Sequence, residues 1–309
     1  MRDLADVPVL ALNDEVAEAL ASKSALVALE TTLLAHGLPP EDRRRVALRL
    51  EAVCRAEGAV PATIAIVDGR MRVGLDDSTL ERIIDGTATK ASLRDLAIAV
   101  ARGGVWATTV ATTMAIAQRA GIRYFATGGI GGVHRGASET FDESADLLAL
   151  ARYPVGVVCA GAKSVLDLPR TTERLETLGV PVIGFGTDEL PAFYHARGGL
   201  PVTVRLDTPE EVAGVGIARF DRLGEGGLLI AQPPPEGLAQ SPEVVDGLIE
   251  TALDEAARTG LRGREVTPFL LARLAELSDG EVVRTNVALV EANARLAARI
   301  AVADARLRD

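Results

Sequence analysis

The chain is predicted to be α/β, with a mainly parallel sheet covered by helices and a helical C-terminal segment. Three observations carry this. Apolar runs of three to five residues alternate with longer amphipathic runs through residue 231. Several amphipathic runs follow a Ser, Thr or Asp cap, as at Thr208-Pro209 and Ser241-Pro242. The unusual polar residues stand just after apolar runs, at the strand ends where parallel sheets gather their ligands.

In chain order, an amphipathic helix is expected over 14–21 and a strand over 25–29. That strand is apolar throughout, as strands covered on both faces are, and it ends at Glu30. A helix over 41–57 and a strand over 63–67 follow. Further strands are expected at 104–106, 124–126, 155–159, 182–184, 202–206 and 228–231. The intervening helices are expected at 92–101, 110–120, 143–151, 171–178 and 209–223. After the break Gln232-Pro-Pro-Pro-Glu236, read as a rigid loop or else a domain hinge, the chain reads as helical, over 242–259, 268–277 and 282–307.

Composition excludes several classes of function. Aromatic residues are 3% and the net charge is −10, which argues against base-stacking surfaces and polyanionic partners, so no nucleic acid is expected. No apolar run is long enough to span a membrane. Cys54 and Cys159 are too few for a disulfide framework, and the N-terminus (Met1-Arg-Asp-Leu-Ala-Asp) does not read as a secretory signal. A reducing cytoplasm is the expected setting.

Lysine is nearly absent. Lys and Arg together number 33, and only Lys23, Lys90 and Lys163 are lysine. The few lysines should therefore include sites where an amine is required. Lys163 closes the run Val155-Gly-Val-Val-Cys-Ala-Gly-Ala-Lys163. An amine leaving an apolar strand is expected to lose hydration and become a neutral nucleophile, which arginine cannot be; a solvated, idle lysine is the plain alternative. Lys90 lies in Thr89-Lys90-Ala-Ser-Leu-Arg-Asp95, read as a helix start that clamps a phosphate or as an ordinary capped helix.

The segment Thr127-Gly-Gly-Ile-Gly-Gly-Val-His-Arg-Gly136 is dense in glycine. It is read as a nest of backbone N–H groups for an anion, with His134 and Arg135 adding donors, or else as a tight surface loop. Next comes Thr140-Phe-Asp-Glu-Ser-Ala-Asp-Leu147. Asp142 and Asp146 stand four apart and would share a helix face, suggesting a hard cation that keeps several waters; alternatively Asp142 is a helix cap and Asp146 an exposed acid. Glu30, at a strand end, suits proton transfer if partly desolvated, and His36 could assist it; a loop acid and a structural histidine are the alternatives. Asn286 and Asn293 lie in an Ala/Leu/Val-rich helix, where a buried amide could read a nucleobase or serve as a cap.

Together these segments resemble the pseudouridine-5′-phosphate glycosidases, the family that also includes the indigoidine-cluster glycosidase. The matching stretches are Ala28-Leu-Glu-Thr-Thr and Ala-His-Gly37, Pro61-Ala-Thr-Ile-Ala-Ile, Lys90-Ala-Ser-Leu-Arg-Asp-Leu96, Ala107-Thr-Thr-Val110, Phe125 to Ala137, Thr140 to Leu147, and Val158 to Asp167. The resemblance covers about residues 12–303, and the block 125–167 is highly specific. It implies a single α/β/α domain over residues 1–309, a homotrimer, a divalent metal such as manganese, and a Schiff-base lysine. By motif position Lys163 looks like that nucleophile, Glu30 the proton donor and Asp142 the metal ligand. Lys90, Val110, Ser144, Ala145 and Asp146 look like substrate contacts, and Thr127, His134 and Asn286 join them as expected substrate-binding residues. Three positions depart from the family pattern: Thr31 where serine is usual, Glu143 in a usually apolar place, and the Arg197-Gly-Gly loop.

The implied reaction is reversible cleavage of pseudouridine 5′-phosphate, a small-molecule nucleotide, to uracil and ribose 5-phosphate. Its leaving atom is a ring carbon, so the two-carboxylate strategy for a leaving oxygen is poor. An imine between C1′ and an amine supplies an electron sink instead. The competing readings are a Schiff-base lyase on another sugar phosphate and a non-catalytic sugar-phosphate sensor.

Overall fold

The computed structural model describes residues 9–259, 261 and 266–308. The expectation for the N-terminal acids falls on residues 1–8, outside the described residues. The first half of the chain runs β1 (Leu10–Leu12), α1 (Asp14–Ala21), β2 (Leu26–Leu29), α2 (Thr32–His36), α3 (Pro40–Ala56), β3 (Val60–Val67), β4 (Arg70–Val73), α4 (Asp77–Ile84), β5 (Thr89–Ala91), α5 (Leu96–Arg102), β6 (Val105–Thr108), α6 (Val110–Ala120) and β7 (Tyr124–Ala126). It continues α7 (Ala137–Thr140), α8 (Ala145–Arg152), β8 (Gly156–Cys159), α9 (Leu168–Thr177), β9 (Val182–Phe185), β10 (Val204–Leu206), α10 (Pro209–Ile217), β11 (Leu228–Ala231), α11 (Pro242–Arg258), α12 (Val266–Leu277) and α13 (Glu281–Arg308).

The strands form one sheet in the order β1-β4-β3-β2-β7-β8-β11-β9-β10, with β6 pairing β3 and β5 pairing β6. Every pairing is parallel except β3 with β4 and β3 with β6. The central strands β2, β7, β8 and β11 are fully buried, as their apolar sequences require when helices cover the sheet. α13 packs along β2, β7 and β8 and against α3 and α10, while α6 packs against β1 to β4, β6 and α8. A large apolar cluster extends from Val16 to Ala303, and a smaller one gathers Ala35, Ala65, Val67, Ile83, Ala88 and Ala107.

The expected strands and helices are present, with ends shifted by a few residues. Three strands and three helices were not anticipated: β1, β4, β5, α2, α4 and α7. β4 had a legible signal. Asp68 and Gly69 join β3 to β4 with φ of 53° and 81°, the left-handed pair of a two-residue hairpin favoured by Asp-Gly. The expected continuous helix 92–101 is also corrected. Lys90 sits in the short strand β5, and Ser92 caps only a single 3₁₀ turn, Leu93–Asp95, through a reciprocal bond with Asp95. Lys90 is therefore not at a helix N-terminus.

Candidate active site

The chemically distinctive residues converge at the carboxyl ends of β2, β7 and β8 and beside β5 and α6. Glu30 is the first residue after β2, and Thr127 the first after β7. Beyond their last strand residues, β7 and β8 stay paired through irregular backbone. Ala160 N–H donates to the Gly128 carbonyl (2.9 Å), Ile130 N–H to that of Gly161 (3.1 Å), and Lys163 N–H to that of Ile130 (3.1 Å). This extension carries Lys163 to the same rim as Glu30. Gly161 is required there: its φ is +86° and a Cβ would stand 2.1 Å from the Pro191 carbonyl oxygen.

Two cavities meet at Glu30, Thr32, Lys90 and Lys163, which line both. The larger, about 470 Å³, is bounded also by Thr109, Val110, Gly131, His134, Asp142 and Ser144 to Asp146. The smaller, about 50 Å³, is closed by His36, Gly128, Gly129, Phe193 and Asn286. The residues expected as nucleophile, acid, metal ligand and substrate contacts thus border one two-lobed space, whereas Arg135 and Asn293 line neither lobe.

Electrostatics differ along it. Glu30 is 8% exposed. Burial raises its pKa, opposed by the Lys163 charge, by a hydrogen bond donated by the Thr127 hydroxyl, and by Lys90. Burial lowers the Lys90 pKa, and the neighbouring Lys163 charge lowers it further, against the pull of Asp146 and Glu30. Burial likewise lowers His134, against the raising effect of Asp142. His36 is lowered by burial too, its Ala88 backbone bond opposing and Lys90 and Arg43 adding to the effect.

Three expectations fail, each for a physical reason. Asp142 and Asp146 do not share a helix face. Asp142 lies ahead of α8, Ser144 caps that helix, and only Asp146 is within it. The Asp146 carboxylate accepts from Ala111 N–H (2.9 Å) and Gly131 N–H (2.8 Å). It joins the start of α6 to the glycine segment, a favourable place for a negative charge. Its carboxylate is thus committed to backbone, although the residue borders the large cavity.

The glycine segment, for its part, is not an anion nest. From Gly128 to Gly132 no glycine has positive φ, and Gly131 N–H is already taken by Asp146. These glycines instead admit close neighbours. A Cβ on Gly129 would lie 2.5 Å from the Phe193 ring, on Gly131 2.3 Å from Ser144 Oγ, and on Gly132 2.4 Å from Thr171 Oγ1.

Asn293 does not face the site as a base reader. Its amide donates to the Thr127 carbonyl (2.8 Å) and accepts from Gln232 (2.8 Å). Asn286 does line the small cavity, and its Oδ1 is buried without a partner among the described residues.

Sequence reading missed Phe193. It is held at φ 63° beside Gly129 and forms a wall of the small cavity; a bulky residue in that region is a strained outlier. Thr31, one of the family departures, is buried. Its hydroxyl donates to the Ile64 carbonyl (2.8 Å) and accepts from Thr108 N–H (2.9 Å), tying the start of α2 to β3 and β6. Threonine keeps the hydroxyl that serine would supply. Glu143 turns outward to pair with Arg174. In the Arg197 loop, Gly199 N–H bonds Glu189 and Gly198 lies against the Leu190 carbonyl. Cys54 and Cys159 are buried free thiols pushed up to about 12 by burial, which leaves them inert.

Among the described residues no group of three or more His, Cys, Asp or Glu side chains is arranged to hold a metal ion. Asp142 is a half-buried carboxylate on the wall of the large cavity, beside His134 and Glu143. Also among the described residues, no helix is long and apolar enough to cross a membrane.

The chain matches the family described as indigoidine synthase A like protein over residues 15–303. A protein of Rhizobium johnstonii named pseudouridine-5′-phosphate glycosidase 2 is 52% identical over 299 residues, 96% of each chain. One of Herpetosiphon aurantiacus named pseudouridine-5′-phosphate glycosidase is 51% identical over 95% of this chain and 97% of its own. Among solved structures, the prealnumycin C-glycosynthase AlnA in complex with ribulose 5-phosphate superposes with TM-score 0.90 at 40% identity, covering 98% of this chain and 99% of its own. An indigoidine synthase A-like protein of Thermotoga maritima superposes with TM-score 0.87 at 33% identity, covering 97% of each. The chain therefore belongs to the indigoidine synthase A-like family, together with proteins named pseudouridine-5′-phosphate glycosidase.

Proposed function

We propose that this protein is a pseudouridine-5′-phosphate glycosidase, which cleaves the C–C glycosidic bond reversibly to give uracil and ribose 5-phosphate. The observation that carries the reading is the meeting of a buried carboxyl of raised pKa, Glu30, with Lys163 where the two cavities join. Relatives at about half identity over nearly the whole chain bear the name of this activity.

In this reading Lys163 Nζ bonds to C1′ as the C1′–O4′ bond breaks, and the proton Nζ sheds goes to O4′. Glu30 in its protonated form, which burial favours, delivers a proton to C5 of uracil. The nitrogen lone pair then forms C1′=N as the C1′–C5 bond breaks, its electron pair leaving with uracil. Water adds to the imine, Lys163 is released as the amine, and a proton returns to Glu30. Thr127 holds the Glu30 carboxyl in place by its hydroxyl bond. The small cavity receives the far edge of the base, with Asn286 on its wall, and the large cavity receives the sugar phosphate. Lys90 and His134 are the phosphate donors, with Val110, Ser144 and Ala145 as walls. Lys90 takes over the role expected of the glycine nest, because that segment's Gly131 N–H already serves Asp146.

A divalent hard cation, manganese or its like, fits Asp142: one carboxylate on a roomy polar cavity leaves most of the coordination shell to water. When bound it would supply positive charge near the phosphate. A homotrimer belongs to the same reading, on the family resemblance. The direct test is incubation with pseudouridine 5′-phosphate and manganese. Release of uracil and ribose 5-phosphate is expected. A lyase for another sugar phosphate would release no uracil, and a sensor would bind the nucleotide without turnover.

A further inference from the structure

Two residues that line the small cavity, His36 and Asn286, each carry a buried polar atom without a partner among the described residues, Nε2 of His36 and Oδ1 of Asn286. Native structures rarely leave such groups unpaired, and those they do leave call for a missing partner. The His36 ring makes one hydrogen bond to the Ala88 backbone. Because Nε2 is the orphan, that bond belongs to Nδ1–H and the Ala88 carbonyl. In the neutral ring Nε2 is then a bare acceptor. Burial, with Lys90 and Arg43 nearby, keeps the ring neutral, so His36 does not serve as an acid beside Glu30. Asn286 can turn either end of its amide to a ligand; His36 can only accept.

We propose that His36 is a specificity-determining residue whose Nε2 accepts the N1–H of a uracil ring linked to the sugar through C5, selecting C-linked over N-linked uracil nucleotides. This rests on the cleavage reading above. Glu30 and Lys163 border both cavities, whereas His36 and Asn286 border only the small one. With C5 held between Glu30 and Lys163, the opposite edge of the ring enters the small cavity. In a C5-linked uracil that edge is the C2 carbonyl flanked by N1–H and N3–H, so two N–H donors reach the end where the two orphans stand. In an N1-linked uracil the edge opposite the sugar is C4, flanked by N3–H and C5–H. Only one N–H is then available, and an orphan stays unpaired. A site built to hydrogen-bond a donor rejects the analogue that lacks it far more strongly than an apolar pocket rejects a missing methylene. At about 50 Å³ the cavity is smaller than the roughly 150 Å³ that holds a benzene ring, so it takes only the N1–C2–N3 edge, and the rest of the ring lies in the space shared with the large cavity at Glu30, Thr32, Lys90 and Lys163.

The test compares kcat/KM for pseudouridine 5′-phosphate and its N1-methyl derivative in the native protein, His36→Ala and His36→Gln. The native protein is expected to prefer the unmethylated substrate by about 100-fold or more. In His36→Ala the preference should collapse to within about tenfold, because the acceptor is gone and the methyl has space. His36→Gln, whose side-chain oxygen can accept, should recover part of it. Each ratio is internal to one preparation, so partial misfolding does not bias it. Equilibrium binding of uracil against 1-methyluracil gives the same comparison for a variant that turns over too slowly. Equal cleavage of both substrates by the native protein, or full preference retained in His36→Ala, overturns the assignment and leaves the cleavage reading standing. No uracil from the unmethylated substrate with the native protein overturns the cleavage reading, and this inference with it.

Discussion

Replacing Asp146 by alanine tests whether its carboxylate serves the backbone rather than a cation shared with Asp142. Its carboxylate takes Ala111 N–H at 2.9 Å and Gly131 N–H at 2.8 Å, and the residue is 6% exposed. Hydrogen bonds to a charged group contribute about 1.5–3 kcal/mol each, and a buried donor left unpaired costs about 1–3 kcal/mol. Alanine orphans two donors, one at the first turn of α6, where the negative charge also favours the helix dipole. Water from the adjoining cavity can satisfy part of the loss, so a destabilisation of about 2–4 kcal/mol is predicted. Asp146→Asn keeps one acceptor and turns an amide N–H toward the other donor, so about half that loss is expected. Urea unfolding with an unchanged slope would read the difference. The measurement is made in excess chelator, because a loss that arises from backbone bonds persists without metal. A loss below about 1 kcal/mol in chelator, reappearing only when metal is added, would falsify the assignment and return Asp146 to the cation.

Four further predictions follow from the same site. Borohydride added with ribose 5-phosphate should fix the sugar to the peptide carrying Lys163; Lys163→Arg should lose trapping and turnover while Lys90→Arg mainly weakens binding, and sugar found on Lys90 would overturn the scheme. Glu30→Ala should slow uracil release by about 10²–10⁴ yet still trap ribose 5-phosphate, and a near-normal rate would show that the acid is misassigned. Chelation should abolish turnover, manganese should restore it, and Asp142→Ala should not respond to manganese; full activity after exhaustive chelation would exclude the metal. Glu30→Gln should be increasingly stabilised relative to the native protein as pH rises. Burial raises the Glu30 pKa above its ordinary 4.5, so the folded state holds a proton the unfolded chain gives up, and the stability tied to that proton is lost as pH climbs through the raised value. A melting-temperature difference flat from pH 4 to pH 8 would contradict that sign.

Much of the site was legible before the fold because each signal was local. Three lysines among many arginines marked Lys163, and an acid closing an apolar run marked Glu30. Alternation of short apolar and longer amphipathic runs marked a parallel sheet, and parallel sheets present their strand ends on one rim. These are properties of composition and near-neighbour spacing, and they survive without knowledge of what packs against what. The Asp-Gly turn at 68–69 is an equally local signal.

Other features are set by contacts across long sequence distances, which spacing does not encode. The four-residue interval between Asp142 and Asp146 fits a shared helix face, but α8 begins only at Ala145, and Asp146 finds its partner 35 residues away at Ala111. Glycine density suits an anion nest or close packing equally well. The difference lies in φ and in the Phe193, Ser144 and Thr171 side chains that tertiary folding brings against the segment. Asn286 and Asn293 share one helix and one residue type. Asn293 meets Thr127 and Gln232 and is satisfied, whereas Asn286 meets a cavity and is not. By itself, then, the sequence determined which side chains have the chemistry and which rim they occupy. The tertiary structure decided which of them are already hydrogen-bonded, because a buried polar group takes the first partner that folding places within reach, and only those left without one are free to bind a substrate.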